Sequence, residues 1–485
     1  MEESLLHKPI IGDDNRRDNI SASSAGISII SWERLLGEFE RLSLLAGPMI
    51  AITLSQYLLS IVALTMAGHL GKLTLSSTAI AISIANVSGF SVIIGLASAL
   101  ETLSGQAYGA QQFRKLGHQT QTAIFCLILV CIPLSVLWAY MRNILIMLGQ
   151  DPTISREAGK FIVFLIPALF ANAALHPLQR YFQAQSLINP MLIASFITLC
   201  FHVALCWMLV FHSRLRSIGA ALSICFSVWF NVILLGLYMM FSSECAKTRA
   251  PLSLELFSGI KEFFRFAIPS TVMLCLEWWS FELLILLSGL LPNPELETSI
   301  LSVCLTTVST LYAFPYGLGA AASTRVSNSL GAGNAHAART TVYAVICLTL
   351  AETVIVSTIL FLFRHSFGYI FSNDKGVVDY ATSMAPLLSL SLIFDSFQGV
   401  LSGVTRGCGW QHVGAYINLG AFYLCGIPIA VALAFGVQLR GLGLWLGIIC
   451  GSFTQTILLF IVNLRINWEK LAFQTRDRIF NDSLC

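Results

Sequence analysis

The sequence predicts an all-α polytopic membrane protein with twelve transmembrane helices in two parallel six-helix lobes. Three observations predict this fold class: a very apolar composition, twelve apolar stretches of spanning length, and an internal repeat. Of the 485 residues, 56% are hydrophobic and only 11% are charged, and the mean hydropathy is +0.77. Because an average soluble domain is about one quarter charged, we expect lipid to be the solvent of this chain.

Each predicted helix is an apolar run that can cross a bilayer, which requires about 20 residues. The longest polar break in the middle of the chain is 242–251. The twelve predicted spans are 41–67, 75–98, 120–141, 157–178, 187–211, 216–240, 259–290, 298–322, 339–363, 378–402, 412–436 and 441–466. The predicted domains are a cytosolic N-terminal tail at 1–40, an N-lobe at 41–241, a cytoplasmic linker at 242–258, a C-lobe at 259–466 and a cytosolic C-terminal tail at 467–485.

The basic residues predict the orientation of these spans. An even number of spans places both termini on one side of the membrane. The tails and loops of that side carry most of the 28 Lys and Arg residues. Since cytoplasmic loops of membrane proteins are enriched in basic residues, both termini are expected in the cytosol.

The two halves of the chain repeat each other. The segment 44–56 aligns with 265–277 at a shift of 221 residues, which places Pro48 on Pro269. Further pairs at nearly the same shift are Gly109 with Gly331, Pro167 with Pro386, and Gln179 with Gln398. Each half has an even number of spans, so the two copies enter the membrane from the same side and are parallel repeats. A central cavity between two lobes follows from that symmetry.

The repeat is not symmetric in its acidic residues. Glu277 aligns with Gln56, and Asp395 aligns with His176. An acid inside a transmembrane helix is costly and therefore indicates a functional site. We expect proton chemistry in the C-lobe, at Glu277 and Asp395, and polar lining for a solute in the N-lobe.

Burial in a partly dry cavity disfavours the ionised form of a carboxyl, so such groups can exchange protons across a gradient. The candidate lining of the substrate cavity is Gln56, His176, Phe281, Ser391 and Gln398. One alternative is that the two acids are structural and are held by neighbours such as Ser391 and Gln398. A second alternative is that His176 is a neutral hydrogen-bonding residue and not a titrating one.

Other intramembrane features receive separate interpretations. Glu282 lies five residues after Glu277, about 140° around the helix, and is interpreted as a helix–helix hydrogen bonder. Glu101 is expected to pair with a loop arginine, and Glu352 has no assigned role. Pro48 and Pro269 each remove a backbone hydrogen bond and are the expected points of helix bending.

The sequence disfavours several other function classes. The segments 109–112 and 331–334 are rich in Gly and Ala, but neither follows a strand nor has the spacing of a phosphate-binding loop. No C-x-x-C pair occurs among the 13 cysteines, so a metal site is not expected. The loops are too short for a catalytic domain, and no basic stripe suggests nucleic acid. We expect neither an enzyme nor a cofactor.

Six motifs run through the chain in one register. They are ALETLSGQAYGA (99–110), LGQDP-x-IS (148–155), CLEWWSFELL (275–284), SGLLPNPELETSILS (288–302), STRVSN-x-LGAGN (323–334) and RGCGWQHVGAY (406–416). Together they resemble the plant branch of the multidrug and toxic compound extrusion (MATE) family, over 41–468. The resemblance implies two six-helix lobes around a central cavity and efflux of organic solutes in exchange for protons.

The resemblance also implies roles for individual residues. The family's acid in the C-L-E-W-W motif and its acid before S-F-Q-G act as the cation or proton site, and here they are Glu277 and Asp395. Bending of helices 1 and 7 with protonation is implied for the two helices that carry Pro48 and Pro269. The chain departs from common family residues at Ser329 and Ala335 in a cytoplasmic turn. Its helix 1 carries Gln56 and no aspartate, unlike family members that protonate the N-terminal lobe, which speaks against coupling there.

The predicted function is a proton-coupled antiporter that exports organic cations, amphipathic metabolites or xenobiotics by alternating access. The alternative is a sodium-coupled exporter of the same fold, because paired carboxylates also suit a small cation. The expected location is the plasma membrane or the vacuolar membrane. The expected partners are a small organic solute, protons and lipid, and two lobes around one cavity predict a monomer.

Overall fold

The computed structural model describes residues 32–251, 253–367, 369 and 375–481, and every regular element in these ranges is a helix. Residues 1–31 of the predicted N-terminal tail lie outside the described residues. Twelve helices are long and apolar enough to cross a membrane: α1 Trp32–Gly68, α2 Lys72–Gly109, α3 Phe113–Ala139, α4 Pro152–Ala184, α5 Ile188–His212, α6 Ser217–Phe241, α7 Ile260–Ser288, α8 Leu296–Gly331, α9 Ala335–Leu362, α10 Val378–Cys408, α11 Gln411–Gly436 and α12 Arg440–Leu464. A further helix, α13, covers Trp468–Asn481.

Several helices are longer than the sequence predicts. Helix α4 continues to Ala184 and α10 to Cys408, whereas the predicted spans end at 178 and 402. The prediction stopped at charged residues, but these charges are paired inside the protein and do not end a helix. Residues 32–40, which were predicted as a tail, form the start of α1, where Glu38 is buried and paired with Arg325. The predicted C-terminal tail likewise forms α13 up to Asn481.

Successive helices alternate in direction, which gives the molecule two ends. The start of α1, the turns at 110–112 and 332–334, and α13 lie at one end, called here the inner end. The turns at 69–71 and 437–439 lie at the opposite, outer end. Asn334 caps the N-terminus of α9 at the inner end, where its side chain accepts the N–H of Ala337 at 2.9 Å.

The two lobes, α1–α6 and α7–α12, repeat the same packing. In the first lobe, α4 packs against α2, α3 and α6. In the second lobe, α10 packs against α8, α9 and α12, which are the helices that the sequence repeat aligns with those three. The internal repeat therefore describes a repeat of tertiary structure.

The lobes contact each other most closely at the inner end, where α2 meets α8. A Cβ added to Gly109 would lie 2.0 Å from the carbonyl oxygen of Asn328, and one added to Gly331 would lie 2.1 Å from the carbonyl oxygen of Gln106. Only glycine lets two helix backbones approach this far, so the pairing of Gly109 with Gly331 in the repeat has a structural reason. The inner end is closed in this conformation.

The outer segments of the same helices pack mainly within their own lobes, apart from a hydrogen bond from Ser83 of α2 to Glu282 of α7 at 3.2 Å. The outer segment of α2, Lys72–Ala85, lies against α1 and α4. The outer segment of α8, Pro294–Leu311, lies against α7, α10 and α12. The tight contact between lobes therefore belongs to the inner half of the molecule.

Three of the described helices contain wide, π-helical turns that no sequence pattern indicated. One occupies Asn86–Phe90 of α2, and the indole N–H of Trp279 donates to the carbonyl of Val87 there at 3.1 Å. Others occupy Met208–His212 of α5, and Leu419–Gly426 and Ala432–Gly436 of α11. Such turns free backbone groups for other partners and occur often at functional sites.

Helix α13 lies across the closed inner end. Its buried face includes Leu471 and Ile479, and its opposite face exposes Phe473. Lys115 of the first lobe donates to the carbonyl of Ile479 at 3.3 Å, while α8 and α9 of the second lobe also pack against this helix. The segment therefore contacts both lobes.

We expect Gly109→Ala to hinder closure of the inner end, because the new methyl group would overlap the backbone of Asn328. The measurement is hydrogen–deuterium exchange of 105–112 and 326–334, which should exchange faster in the variant. Gly47→Ala is the matched control, since a Cβ there meets no atom within 4 Å. Equal exchange in all three proteins would contradict the close approach of α2 and α8.

Candidate functional site

Glu277 lies in the middle of α7 and is buried among three neutral hydrogen-bond donors. The hydroxyl of Tyr312 donates to its Oε1 at 3.0 Å, and the side-chain amide of Gln398 donates to the same oxygen at 3.1 Å. The amide of Asn418 lies 3.5 Å from Oε2 and donates to the carbonyl of Met273 at 2.7 Å. Helices α8, α10 and α11 thus each supply one donor to a carboxyl on α7.

Asp395 lies on α10 and is held by two serine hydroxyls. Ser391, one turn earlier on the same helix, donates to Oδ2 at 2.7 Å. Ser452 of α12 donates to Oδ1 at 2.8 Å. The side chain is 1% exposed, so both oxygens depend on these protein partners.

Helix α10 brings the two acids together. Gln398, the donor to Glu277, follows Asp395 by three residues, so both lie on the same face of the helix. Gln398 therefore places Glu277 within about one helical turn of Asp395. Gln455 of α12 extends the network, since its amide donates to the Oδ1 of Asn418 at 2.8 Å.

The partners of these two acids allow the carboxyls to gain or lose a proton without breaking an ion pair. A hydroxyl group can donate to a carboxylate and can also accept from a protonated carboxyl. Tyr312, Ser391 and Ser452 are all hydroxyl partners of this kind. In the described residues, no salt bridge to Glu277 or Asp395 is present.

Two other buried carboxylates have a different environment. Glu101 lies 3.0 Å from Nη2 of Arg180 and 2.9 Å from Nε of Arg406. Glu38 accepts two hydrogen bonds from Arg325, at 2.9 and 2.8 Å. The expectation that Glu101 pairs with arginine is confirmed, but its partners do not lie in loops, because both belong to helices, α4 and α10.

The N-lobe counterparts of the two acids are less buried. Gln56 is half-buried, and its amide nitrogen has no hydrogen-bond partner among the described residues. His176 is half-buried, and its Nδ1 lies 3.2 Å from Oε1 of Gln179 on the same helix. Both residues therefore remain compatible with a polar lining.

The other three candidate lining residues divide into two groups. Phe281 is half-buried on α7, and its ring lies 6.3 Å from that of Phe422. Ser391 and Gln398 are fully buried and serve as partners of Asp395 and Glu277. The sequence analysis also offered Ser391 and Gln398 as neighbours that hold the two acids. The geometry therefore places Ser391 and Gln398 with the acids and not with Phe281.

The remaining intramembrane features are also located by the structure. Glu282 accepts a hydrogen bond from Ser83 of α2 at 3.2 Å, which confirms its interpretation as a helix–helix hydrogen bonder. Glu352 is half-buried and accepts from the hydroxyl of Thr353 at 3.3 Å. Pro48 and Pro269 both lie inside continuous helices, α1 and α7.

Comparison with known proteins shows the family. The MatE family model matches residues 48–208 and 269–432, that is, one match in each lobe. The chain belongs to the MATE family. It is a plant MATE transporter by its relatives: Protein DETOXIFICATION 12 of Arabidopsis thaliana is 55% identical over 97% of this chain and 99% of its own length. Protein DETOXIFICATION 14 of the same plant is 58% identical over 92% of both chains.

A solved structure supports the same assignment of fold. The crystal structure of the eukaryotic MATE transporter AtDTX14 is 57% identical to this chain, covers 92% of it and 100% of its own chain, and superposes with a TM-score of 0.90. An outward-facing MATE transporter of the MOP superfamily, only 14% identical, covers 96% of this chain with a TM-score of 0.79 and shows the fold alone. The MATE resemblance and the two-lobe fold expected from the sequence are confirmed.

Sequence reasoning missed three partners of the acids in this MATE protein. Tyr312, Asn418 and Ser452 each contact a carboxyl, and none was among the candidates. Asn418 carried a usable signal, because an amide in an apolar transmembrane stretch needs a hydrogen-bond partner there. The tyrosine and the serine are too common in such stretches to stand out.

We expect Tyr312→Phe to destabilise the protein, because it removes a hydrogen bond worth on the order of 1 kcal/mol from Glu277. The measurement is the thermal melting midpoint of purified protein in detergent, which should fall by a few degrees. Tyr343→Phe is the control, since Tyr343 is exposed on α9 and accepts only a long contact from Arg339. Equal midpoints for both variants would show that the contact to Glu277 contributes no stability.

Proposed function

We propose that this MATE protein is a proton-coupled antiporter that exports organic cations, amphipathic metabolites or xenobiotics from the cytosol. The observation that carries the proposal is the pair Glu277 and Asp395, two buried carboxyls of one lobe whose contacts are all with neutral donors. The names of the Arabidopsis thaliana relatives, which are detoxification proteins, support efflux of foreign organic solutes.

The contrast between the four buried carboxyls supports protons as the coupling ion. A carboxylate that contacts arginine, such as Glu101 or Glu38, leaves an unpaired buried cation if it is protonated. Glu277 and Asp395 leave no such charge behind, because their partners are hydroxyls and amides. Protonation in this site therefore changes one charge only.

The transport cycle follows from the inner end being closed in this conformation. We place the inner end at the cytosol, in agreement with the basic residues of its loops. In the opposite conformation a solute enters from the cytosol while the two acids are ionised. Opening to the acidic side protonates them, α7 rearranges around Pro269, with α1 bending at Pro48, and the solute leaves. One pH unit supplies about 1.4 kcal/mol per proton, and 100 mV adds about 2.3 kcal/mol.

The lining between the lobes suits flat amphipathic solutes. Phe281 offers a partly exposed ring on α7, and Gln56 offers an amide donor without a protein partner among the described residues. His176 adds a second polar group on the N-lobe side. A cavity with aromatic surface and few fixed charges selects by size and shape more than by a single group.

Location and assembly belong to the same proposal. Either the plasma membrane or the vacuolar membrane places an acidic space opposite the cytosol, with both termini cytosolic. Because both lobes and both acids are in one chain, we propose that a monomer transports. We assign no catalytic residue, metal or cofactor to the cycle.

The test is uptake of ethidium, a flat organic cation, into inside-out vesicles that are acidic inside. We expect Glu277→Gln and Asp395→Asn each to lose most gradient-driven uptake, on the order of tenfold or more, since each variant removes a proton-binding group. Glu282→Gln is the matched control, because Glu282 is an acid on the same helix that bonds to Ser83 and not to this site. It should keep uptake near the wild-type rate.

Two results would decide against parts of this proposal. Normal gradient-driven uptake by both Glu277→Gln and Asp395→Asn would make the acids structural. Uptake that follows a sodium gradient and ignores a proton gradient would establish the sodium-coupled alternative, for which the carboxyl and hydroxyl oxygens around Asp395 would be ligands.

A further inference from the structure

Two ion pairs cross between the lobes at the inner end. Glu101 of α2 contacts Nε of Arg406 of α10 at 2.9 Å, and Glu38 of α1 contacts Nη2 of Arg325 of α8 at 2.8 Å. In each pair the carboxylate comes from the first lobe and the guanidinium from the second. Each pair must separate when the inner end opens.

The first of these pairs is part of a buried cluster with an excess positive charge. Glu101 also contacts Arg180 of its own lobe, so one carboxylate is shared by two guanidiniums. The side chains of Glu101, Arg180 and Arg406 are 1%, 7% and 10% exposed. The second pair has one carboxylate for one guanidinium, and Thr341 adds a neutral hydroxyl to it.

A small cavity connects the first cluster to the candidate proton site. Arg406 and Glu277 both line this cavity, together with Ser270, Tyr312 and Tyr316. Arg406 lies on α10 and Glu277 on α7, so both belong to the second lobe. Arg325 does not line this cavity.

Separation of the lobes therefore affects the two arginines of the cluster differently. Arg180 lies on α4 and stays with Glu101 in the first lobe. Arg406 loses Glu101 and remains in the second lobe with Glu277, across the cavity that both line. A buried guanidinium without a partner is costly, so it moves to the nearest available carboxylate.

We propose that Arg406 exchanges Glu101 for Glu277 when the inner end opens, and that this exchange expels the proton from Glu277 into the cytosol. The inference rests on the proposed proton coupling and adds the residue that times proton release. A guanidinium within about 4–6 Å of a carboxyl favours its ionised form. Arg406 is thus a positioning residue that links lobe closure to the proton site.

The groups that surround this exchange come from four helices. Tyr312 and Tyr316 face the cavity from α8, and the hydroxyl of Tyr316 accepts from Arg180 at 3.0 Å. The titratable and charged groups around Arg406 and Glu277 are Glu101, Arg180, Tyr312, Tyr316 and Asp395. Of these, Glu101 and Arg180 move away with the first lobe.

The test measures how pH changes ethidium binding to the purified full chain in lipid nanodiscs. In the wild type, binding should weaken with a defined midpoint as the pH falls, because protonated Glu277 no longer favours the cation. Arg406→Gln removes the group that expels the proton, so the midpoint should rise by about one pH unit. Glu101→Gln releases Arg406 toward Glu277, so the midpoint should fall.

Arg325→Gln is the matched control, because it breaks the other ion pair between the lobes without touching the cavity beside Glu277. Hydrogen–deuterium exchange at 326–334 should rise in both arginine variants, which shows that each loosens the inner end. Only Arg406→Gln should also move the midpoint. Arg406→Lys keeps the charge and should bring the midpoint back toward the wild-type value.

Each outcome decides the proposal. Equal midpoints in Arg406→Gln, Arg325→Gln and the wild type would overturn partner exchange while leaving proton coupling in place. Equal shifts in both arginine variants would overturn it as well, since loosening alone would then explain the effect. If wild-type binding shows no dependence on pH, the proposed proton coupling fails first, and partner exchange fails with it. If Arg406→Gln does not fold, the downward shift in Glu101→Gln decides.

Discussion

The cost of placing a charge or an unpaired polar group in lipid constrains this structure more than any other interaction. A carboxylate inside the bilayer must find protein partners, because no water is present to solvate it. The protein meets this requirement in two ways. Glu38 and Glu101 contact arginines that reach across from the other lobe, whereas Glu277 and Asp395 contact hydroxyls and amides of their own lobe. Ionic contacts thus lie between the lobes, and neutral contacts surround the two acids of the candidate proton site.

The same requirement explains why the lobes meet through glycine. The attraction within an ion pair between the lobes becomes stronger when the helices approach closely enough to exclude water. Gly109 and Gly331 permit that approach, since each has the backbone of the opposite helix at its surface. The glycine contacts and the buried ion pairs therefore both hold the lobes together at the inner end. Helix α13 covers this closure and contacts both lobes.

The sequence predicted the features that depend on composition and on the repeat between the two halves of the chain. Twelve apolar stretches and a shift of about 220 residues between halves were sufficient for the lobes and for the selection of Glu277 and Asp395. What the sequence did not indicate depends on contacts between distant helices. The predicted spans end at 178 and 402, before Arg180 and Arg406, because a charge normally ends a span, yet the partner Glu101 lets both helices continue past these arginines. The π-helical turns of α2 and α11 also depend on neighbours, as the contact of Trp279 with Val87 shows.

Helix α8 contributes a residue to each of these separate contacts. Along its length it presents Tyr312 to Glu277, Tyr316 to Arg180 and Arg325 to Glu38, and it ends at Gly331 against α2. The inner segment of α8, Ala313–Gly331, begins directly after Tyr312, so we propose that opening of the inner end also moves this partner of Glu277. In the proposed cycle, a change of charge at Glu277 acts on the same helix in the opposite direction. The proposed coupling between Glu277 and closure of the inner end then needs no pathway longer than α8.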